Sequence, residues 1–351
     1  MNITFMIGNG FDLRVGLKTS FCDMYDEYTA LASASENIKN FKQMLKNDAP
    51  NYETWGDFEM AMAQKVNEFE TEEAFIECLR DFKSHLAVHL THEQNMFKEK
   101  LQKYPAEHKQ CVEEVKNSLG SFYKGLTPNV VNQIEMLNDS EDHTYQFLSF
   151  NYTSTIDRLI LPYMGEVLHV HGSLEEGAAV GIDNLGQIKN LLFKPTKKFL
   201  RAFIKPDFNE NYNSDRLRKV ENAIDNSNVI CVYGMSLGLS DLSWAIKLRN
   251  WLLSDEDHHL VYFVHDERKF NKFNWDEIMD EEEDRIASLL GKLCDNSADM
   301  DNIFNQVHVP VGYDIFDIAD ILEKAEIENA RRQVIRQAVQ ERPKELATGL
   351  V

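Results

Sequence analysis

Four stretches of this sequence set glycine or small polar side chains directly behind an apolar run, and they hold the residues best suited to chemistry. They are Gly8-Asn9-Gly10-Phe11-Asp12 with Thr19 further on, Asn151-Tyr152-Thr153, His171-Gly172-Ser173, and Gly234-Met235-Ser236-Leu237 followed by Asp241. Glycines after a strand let the backbone approach a ligand closely, and amides at a helix start favour anions. The first stretch therefore predicts a phosphate-bearing ligand. Taken singly, each stretch has an ordinary structural use: Gly-x-Gly makes a tight turn, Asn caps a helix, and His fills a strand end. Their joint position is what points to one site, because doubly wound sheets bind ligands beyond the carboxyl ends of their strands.

The elements that must position them are legible as runs. "NITFMIG", "YQFLSFN", "GEVLHVHG", "NVICVYG", "HLVYFVHD" and "QVHVPVG" are nearly continuous apolar runs of strand length, as buried strands of a parallel sheet are. Helical patterns lie between most of them, the alternation of a helix-covered sheet. Between the first two strands more than a hundred residues read as helix, with Phe75, Leu79, Phe82 and Leu86 on one face and "WGDFEMAMAQKVNEF" a second amphipathic segment. The expected organisation is an α/β domain from residues 1–34 and 141–316, a helical insertion over 35–140, and a C-terminal helix within 317–351, stopped by Pro343. "MDEEEDR" is read as the solvated face of a helix that turns Ile286, Leu289, Leu290 and Leu293 inward.

Composition narrows the function. The chain has 351 residues, 43% of them hydrophobic, enough for a full core. Its net charge of −21 argues against general affinity for nucleic acid. Five scattered cysteines without a C-x-x-C pair suggest neither a disulfide framework nor a cysteine zinc site, and a reducing cytoplasm is expected. The opening "MNITFMIGNG" is interrupted by glycines too early for a signal peptide, and no apolar run is long enough to span a bilayer.

"IGNGFDLRVGLKTSF", "FLSFNYTSTIDR", "HVHGS", "VGID" and "VYGMSLGLSD", with "WGDFE" in the insertion, together resemble the AbiH family of bacterial abortive-infection proteins, from Met1 to about Asp266. That family in turn resembles sirtuin-like NAD-binding domains. Their Gly-Ala-Gly and later Gly-Ile-Pro match Gly8-Asn9-Gly10 and Gly16-Leu17-Lys18, their Asn-x-Asp matches Asn151-Tyr152-Thr153, and their His-Gly matches His171-Gly172. The resemblance implies a Rossmann-like, mainly parallel sheet holding NAD or a related nucleotide as substrate, with no metal required. Gly8 and Gly10 would lie on the pyrophosphate, with Asn9, Phe11, Asp12, Thr19, Thr153, Gly172 and Asp241 around the nucleotide. Gly234 and Ser236 would border its adenosine half. Asn151 would hold the nicotinamide ribose or a water, and His171 would be the base. Asp12 stands where sirtuins have a serine, Thr153 where they have an acid, and Met235 where the AbiH pattern has a histidine. Without a four-cysteine zinc ribbon, NAD glycohydrolysis is a better analogy than protein deacetylation. The alternative is a non-catalytic nucleotide-binding sensor or scaffold of a defence system.

Other constellations read as structural. His85, His89 and His92 share a helix face but lack the Glu of a His-Glu-x-x-His site. His169, two residues before His171 on one strand, is expected on the same side, packing. Lys194, Lys197, Lys198, Arg201 and Lys205 form a basic island read as solvated. Trp55, Asp57 and Glu59 belong to the family pattern, with Glu59 either reaching the site or pinning a helix. In the C-terminal helix Ile327, Val334 and Ala338 make a stripe too thin for a deep core, so packing on the insertion or on a second copy is expected. The expected partners are thus the nucleotide, a homo-oligomer and a phage-derived trigger, with no membrane.

Overall fold

The computed structural model describes residues 1–48, 55–137, 143–264, 274–291, 297–310 and 313–340. Each of the six predicted runs contributes one strand to a single sheet. Three come early: β1 (Asn2–Ile7), β2 (Thr144–Ser149) and β3 (Val167–His169). A small antiparallel hairpin follows, β4 (Gly172–Ser173) with β5 (Gly177–Ala178). The sheet then resumes with β6 (Val229–Tyr233), β7 (His259–Phe263) and β8 (Val307–His308). The sheet order is β3-β2-β1-β6-β7-β8, and every adjacent pair is parallel.

Both faces of this sheet are covered, which is why the strands read as continuous apolar runs. Ile3, Phe5, Ile7, Phe147, Cys231 and Val261 meet Val115, Leu119, Phe122, Phe316 and Leu322 on one face. Met6, Leu148, Ile230, Val232 and Leu260 meet Ile224, Leu248, Trp251, Ile286 and Leu290 on the other. A third core lies off the sheet, where Phe21, Phe58, Phe75 and Phe82 pack with Ile182, Phe199 and Phe203. Phe21 stacks on Phe58 at 4.2 Å between ring centres, and Phe58 leans on Phe82 at 4.8 Å.

The described residues between β1 and β2 hold helices and connections but no strand. The longest helix, Glu72–Lys103, opens on Thr71, whose hydroxyl accepts from the Ala74 amide. Its 32 residues span about 48 Å. Phe75 to Leu90 lie in the third core, and Phe97 and Leu101 lie against the sheet. One rigid element thus fixes the third core relative to the sheet. The C-terminal helix Ala319–Gln340 buries Leu322 and Ala325 and ties to the preceding helices through Glu326 to Lys100 (3.0 Å) and Asn329 to Tyr104 (3.2 Å). Ile327 and Val334 remain exposed, and the Ala338 side chain lies outside the described residues. In the acidic helix Trp275–Gly291, Ile286 and Leu290 are buried as the pattern predicts, and Leu293 lies outside the described residues. No helix among the described residues is long and apolar enough to cross a membrane.

Candidate functional site

Because the strands are parallel, the carboxyl ends of β1, β2, β3 and β6 emerge at one end of the sheet. After β3 the chain returns to the far side of β1, so the turns behind β1 and β6 flank a crevice where the strand order reverses. A cleft of about 130 Å³ opens there. Among its lining residues are ten singled out in the sequence, Gly8, Asn9, Asp12, Thr19, Asn151, Thr153, His171, Gly234, Ser236 and Asp241, together with Glu59, Leu90, Phe150, Tyr152, Lys205, Met235 and Ser240. Gly10, Phe11 and Gly172 do not line it.

Those three have other uses. The turns behind β1 and β6 are packed backbone to backbone. The Gly8 amide donates to the Tyr233 carbonyl (2.9 Å) and the Gly10 amide to the Gly234 carbonyl (2.8 Å). A methyl group on Gly10 would stand 2.5 Å from the Gly234 Cα, and one on Gly8 would stand 2.5 Å from the Gly234 oxygen. The close approach that the glycines permit is therefore between two turns of the protein. The Gly8 and Gly10 amides are consumed by it and are not available to a phosphate. Gly234 itself has a φ of 64°, a conformation that excludes most side chains. Phe11 turns into the sheet core against Phe316 and Tyr233. Gly172, with a φ of 83°, lets the hairpin close: a Cβ there would meet the Gly177 carbonyl oxygen.

At the first turn, Asn9 and Thr19 clamp each other. The Thr19 hydroxyl donates to Asn9 Oδ1 (2.8 Å), and Asn9 Nδ2 donates to the Thr19 carbonyl (3.1 Å). Asp12 is fully buried beside them. Burial raises its carboxyl to about 6, with the Thr153 hydroxyl, the neighbouring Thr155 and Asn151 side chains and His169 pulling the other way. Thr153 donates to Asp12 Oδ2 at 2.5 Å, while Oδ1 has no partner among the described residues. Asn151, 5% exposed, likewise has both side-chain amide atoms unpartnered. Unsatisfied buried polar atoms cost about 1–3 kcal/mol each, so this group of them gathers on one cleft the donors and acceptors that a polar ligand or water would satisfy.

On the opposite wall His171 Nε2 donates to Asp241 Oδ1 (2.8 Å), and its ring edge packs on Phe150. Asp241 is in turn bound by the Lys205 ammonium (3.0 Å), which also reaches Glu59 Oε2 (2.8 Å) and the Ser240 carbonyl (3.3 Å). Burial alone would raise the Asp241 carboxyl, but Lys205 and His171 outweigh it and hold Asp241 below the usual carboxylate range. An ionised Asp241 only accepts, so His171 Nε2 carries a proton, and Nδ1 has no partner among the described residues. Burial pushes Glu59 upward against the pull of Lys205. Lys205 would be lowered by burial, but Asp241 and Glu59 reverse that and hold it raised.

Lys205 corrects the solvated reading of the basic island. Lys194, Lys197, Lys198 and Arg201 are exposed, but Lys205 is buried, because it follows the buried pair Phe203 and Ile204 and starts the helix Lys205–Tyr212 beneath the cleft. Its place between an apolar run and Pro206 is the signal that could have separated it from its neighbours. Glu59 comes from the helix Trp55–Lys65, anchored by buried Phe58 and Met62, and also accepts from the Gly181 amide (3.1 Å). The Trp55 and Asp57 side chains lie outside the described residues. His169 does not line the cleft with His171: β3 ends at His169, so strand alternation does not carry on to His171. Its ring bonds Asp157 (3.1 Å) and the Asn151 carbonyl (3.1 Å) on a neighbouring cavity. His89 bonds the Lys18 carbonyl at 2.7 Å.

Behind β6 the amides of Met235, Ser236 and Leu237 have no acceptor among the described residues. Leu237 takes a φ of 49° and is buried, while Met235 and Ser236 of the same loop line the cleft. A family model described as bacteriophage abortive infection AbiH matches residues 4–263 of the chain, which contain every residue of the cleft. No curated protein matches it.

Proposed function

Because the chain belongs to the AbiH family of bacteriophage abortive infection, we propose that its cleft binds NAD and cuts the bond between nicotinamide and ribose. Counting only the strands of the sheet, the order is 3-2-1-4-5-6, that of Rossmann dinucleotide-binding sheets, which supports a Rossmann-like, sirtuin-like reading. The observation that carries the chemistry is the pairing, in one cleft, of an unpartnered Asn151 amide with an unpartnered His171 Nδ1 whose other nitrogen is anchored on Asp241.

Nicotinamide in NAD is cationic at the glycosidic nitrogen and leaves as a neutral ring, so no general acid is needed. The C1′–N bond breaks with its electron pair going to nicotinamide. Water attacks C1′, and its proton passes to His171 Nδ1. Asn151 orients that water or a ribose hydroxyl. Asp12 Oδ1 accepts from a ribose hydroxyl, and through its bond to Thr153 it supplies the carboxylate that the Asn-x-Asp pattern lacks here. The free amides of Met235, Ser236 and Leu237 take the pyrophosphate in place of the occupied amides of Gly8 and Gly10.

The test is to incubate purified protein with NAD, with and without extract of phage-infected cells, and follow nicotinamide release. His171→Ala and Asn151→Ala should retain binding and slow release about 10²–10⁴-fold. Wild-type rates in both variants would remove the catalytic assignment. Binding without release under either condition would leave the nucleotide-sensor reading.

A further inference from the structure

Across the wall formed by His171 and Lys205 lies a second cavity, of about 260 Å³, twice the volume of the cleft. It is a half-open pocket lined mainly by the helices Lys205–Tyr212, Ser214–Asp225 and Leu242–Ser254, with Trp244 among its apolar members. We propose that this cavity binds a flat organic cation of the guanidinium type.

The charges facing it set the sign of the occupant. Asp183 and Glu221 line the cavity, and neither has a cationic partner among the described residues. Both lysines on its wall are already neutralised: Lys205 by Glu59 and Asp241, and Lys247 by Asp225 at 2.7 Å. The excess is negative, which turns away phosphates and carboxylates. An independent observation asks for a donor. Asn209 is 3% exposed, its Nδ2 donates to the Val170 carbonyl (3.2 Å), and its Oδ1 has no partner among the described residues. A purely apolar occupant would leave that oxygen unsatisfied. A guanidinium carries five N–H donors in one plane, can reach several separated acceptors, and lies well against an indole. An ammonium concentrates its donors at one point and matches this spread less well.

Binding there requires no NAD turnover, so its test uses the full-length protein without nucleotide. Agmatine is titrated while tryptophan fluorescence and melting temperature are followed, with butylamine and butylurea as comparators. A saturable fluorescence change and a raised melting temperature are expected with agmatine, with affinity about tenfold above both comparators. Glu221→Gln should weaken agmatine about tenfold, and Ser243→Trp should abolish it by filling the space. Circular dichroism equal to wild type shows that both variants fold. A short arginine-containing peptide distinguishes the source: binding by agmatine alone assigns a free small molecule, and binding by the peptide assigns an arginine side chain. No saturable binding by either, or binding untouched by both substitutions, overturns the proposal.

Discussion

Asp12→Asn separates the cost of the buried carboxyl from its use. The Asp12 side chain is fully buried, and its carboxyl is raised to about 6 chiefly by that burial. Between the ordinary aspartate value and about 6, the folded protein keeps a proton that the unfolded chain has shed. Wild-type stability therefore falls as pH rises through that window, and the loss is complete above it. At about 1.4 kcal/mol per tenfold in proton affinity, the rise is equivalent to about 3 kcal/mol. Asparagine keeps the shape and can still accept from the Thr153 hydroxyl, but its amide nitrogen stands where Oδ1 has no partner. That penalty, about 1–3 kcal/mol, does not vary with pH. Only the pH dependence is diagnostic. Relative to wild type, the variant should gain about 2 kcal/mol between about pH 4 and about pH 7.5. Denaturant unfolding at both pH values measures it, with fluorescence and circular dichroism transitions required to coincide because the chain has several cores. A stability difference that stays flat with pH would refute the reasoning. If Asp12 grips the ribose, the same variant loses NAD binding.

Gly10→Ala should lower stability by about 1–3 kcal/mol, because its methyl meets the Gly234 backbone. Thermal unfolding checks this, and an unchanged midpoint with only nucleotide affinity altered would contradict it. Lys205→Met leaves the buried Glu59 and Asp241 carboxylates uncompensated and should cost about 3–5 kcal/mol, part of it recovered by adding Glu59→Gln. A single variant as stable as wild type in urea would dismiss the pairing. Burial and the adjacent His259 hold His308 at about 3, and the two rings share a 2.9 Å hydrogen bond, so the native pair is neutral. The unfolded chain takes up protons below about pH 6.5, so stability falls as pH drops from there toward about 3. His308→Gln should flatten that acid limb in urea midpoints, and an unaltered slope would tell against it.

What was legible from the sequence follows from how local each signal is. β1 announces itself because both its faces are buried, so Ile3, Phe5 and Ile7 on one side and Met6 on the other make a run interrupted by Thr4 alone. The same property exposed the other five strands of the sheet, and the parallel arrangement then brought their carboxyl ends together. Side-chain partners across the site were not legible, because they depend on which distant element arrives. Thr153 looks like a missing acid until Asp12, 141 residues earlier, is found bonded to it. Lys205 looks like one more surface lysine until Glu59 and Asp241 are placed around it.

The glycines show the deeper reason. Gly-x-Gly after a strand reports that backbone comes close to something, but not what. Here Gly8 and Gly10 meet Gly234, so the motif encodes the docking of two strand-end turns. That docking sets the spacing between Asp12 on one turn and the free amides of Met235 and Ser236 on the other. A ligand spanning the crevice would feel Gly10 through this spacing, because Gly10, unlike Gly8 and Gly234, does not line the cleft. Substitution at Gly10 and at Asp12 should therefore differ in kind. The first shifts both turns and lowers stability together with affinity, while the second leaves the turns docked and removes a single contact. A Gly10→Ala protein that folds with wild-type stability yet fails to bind nucleotide would return the phosphate to the first turn.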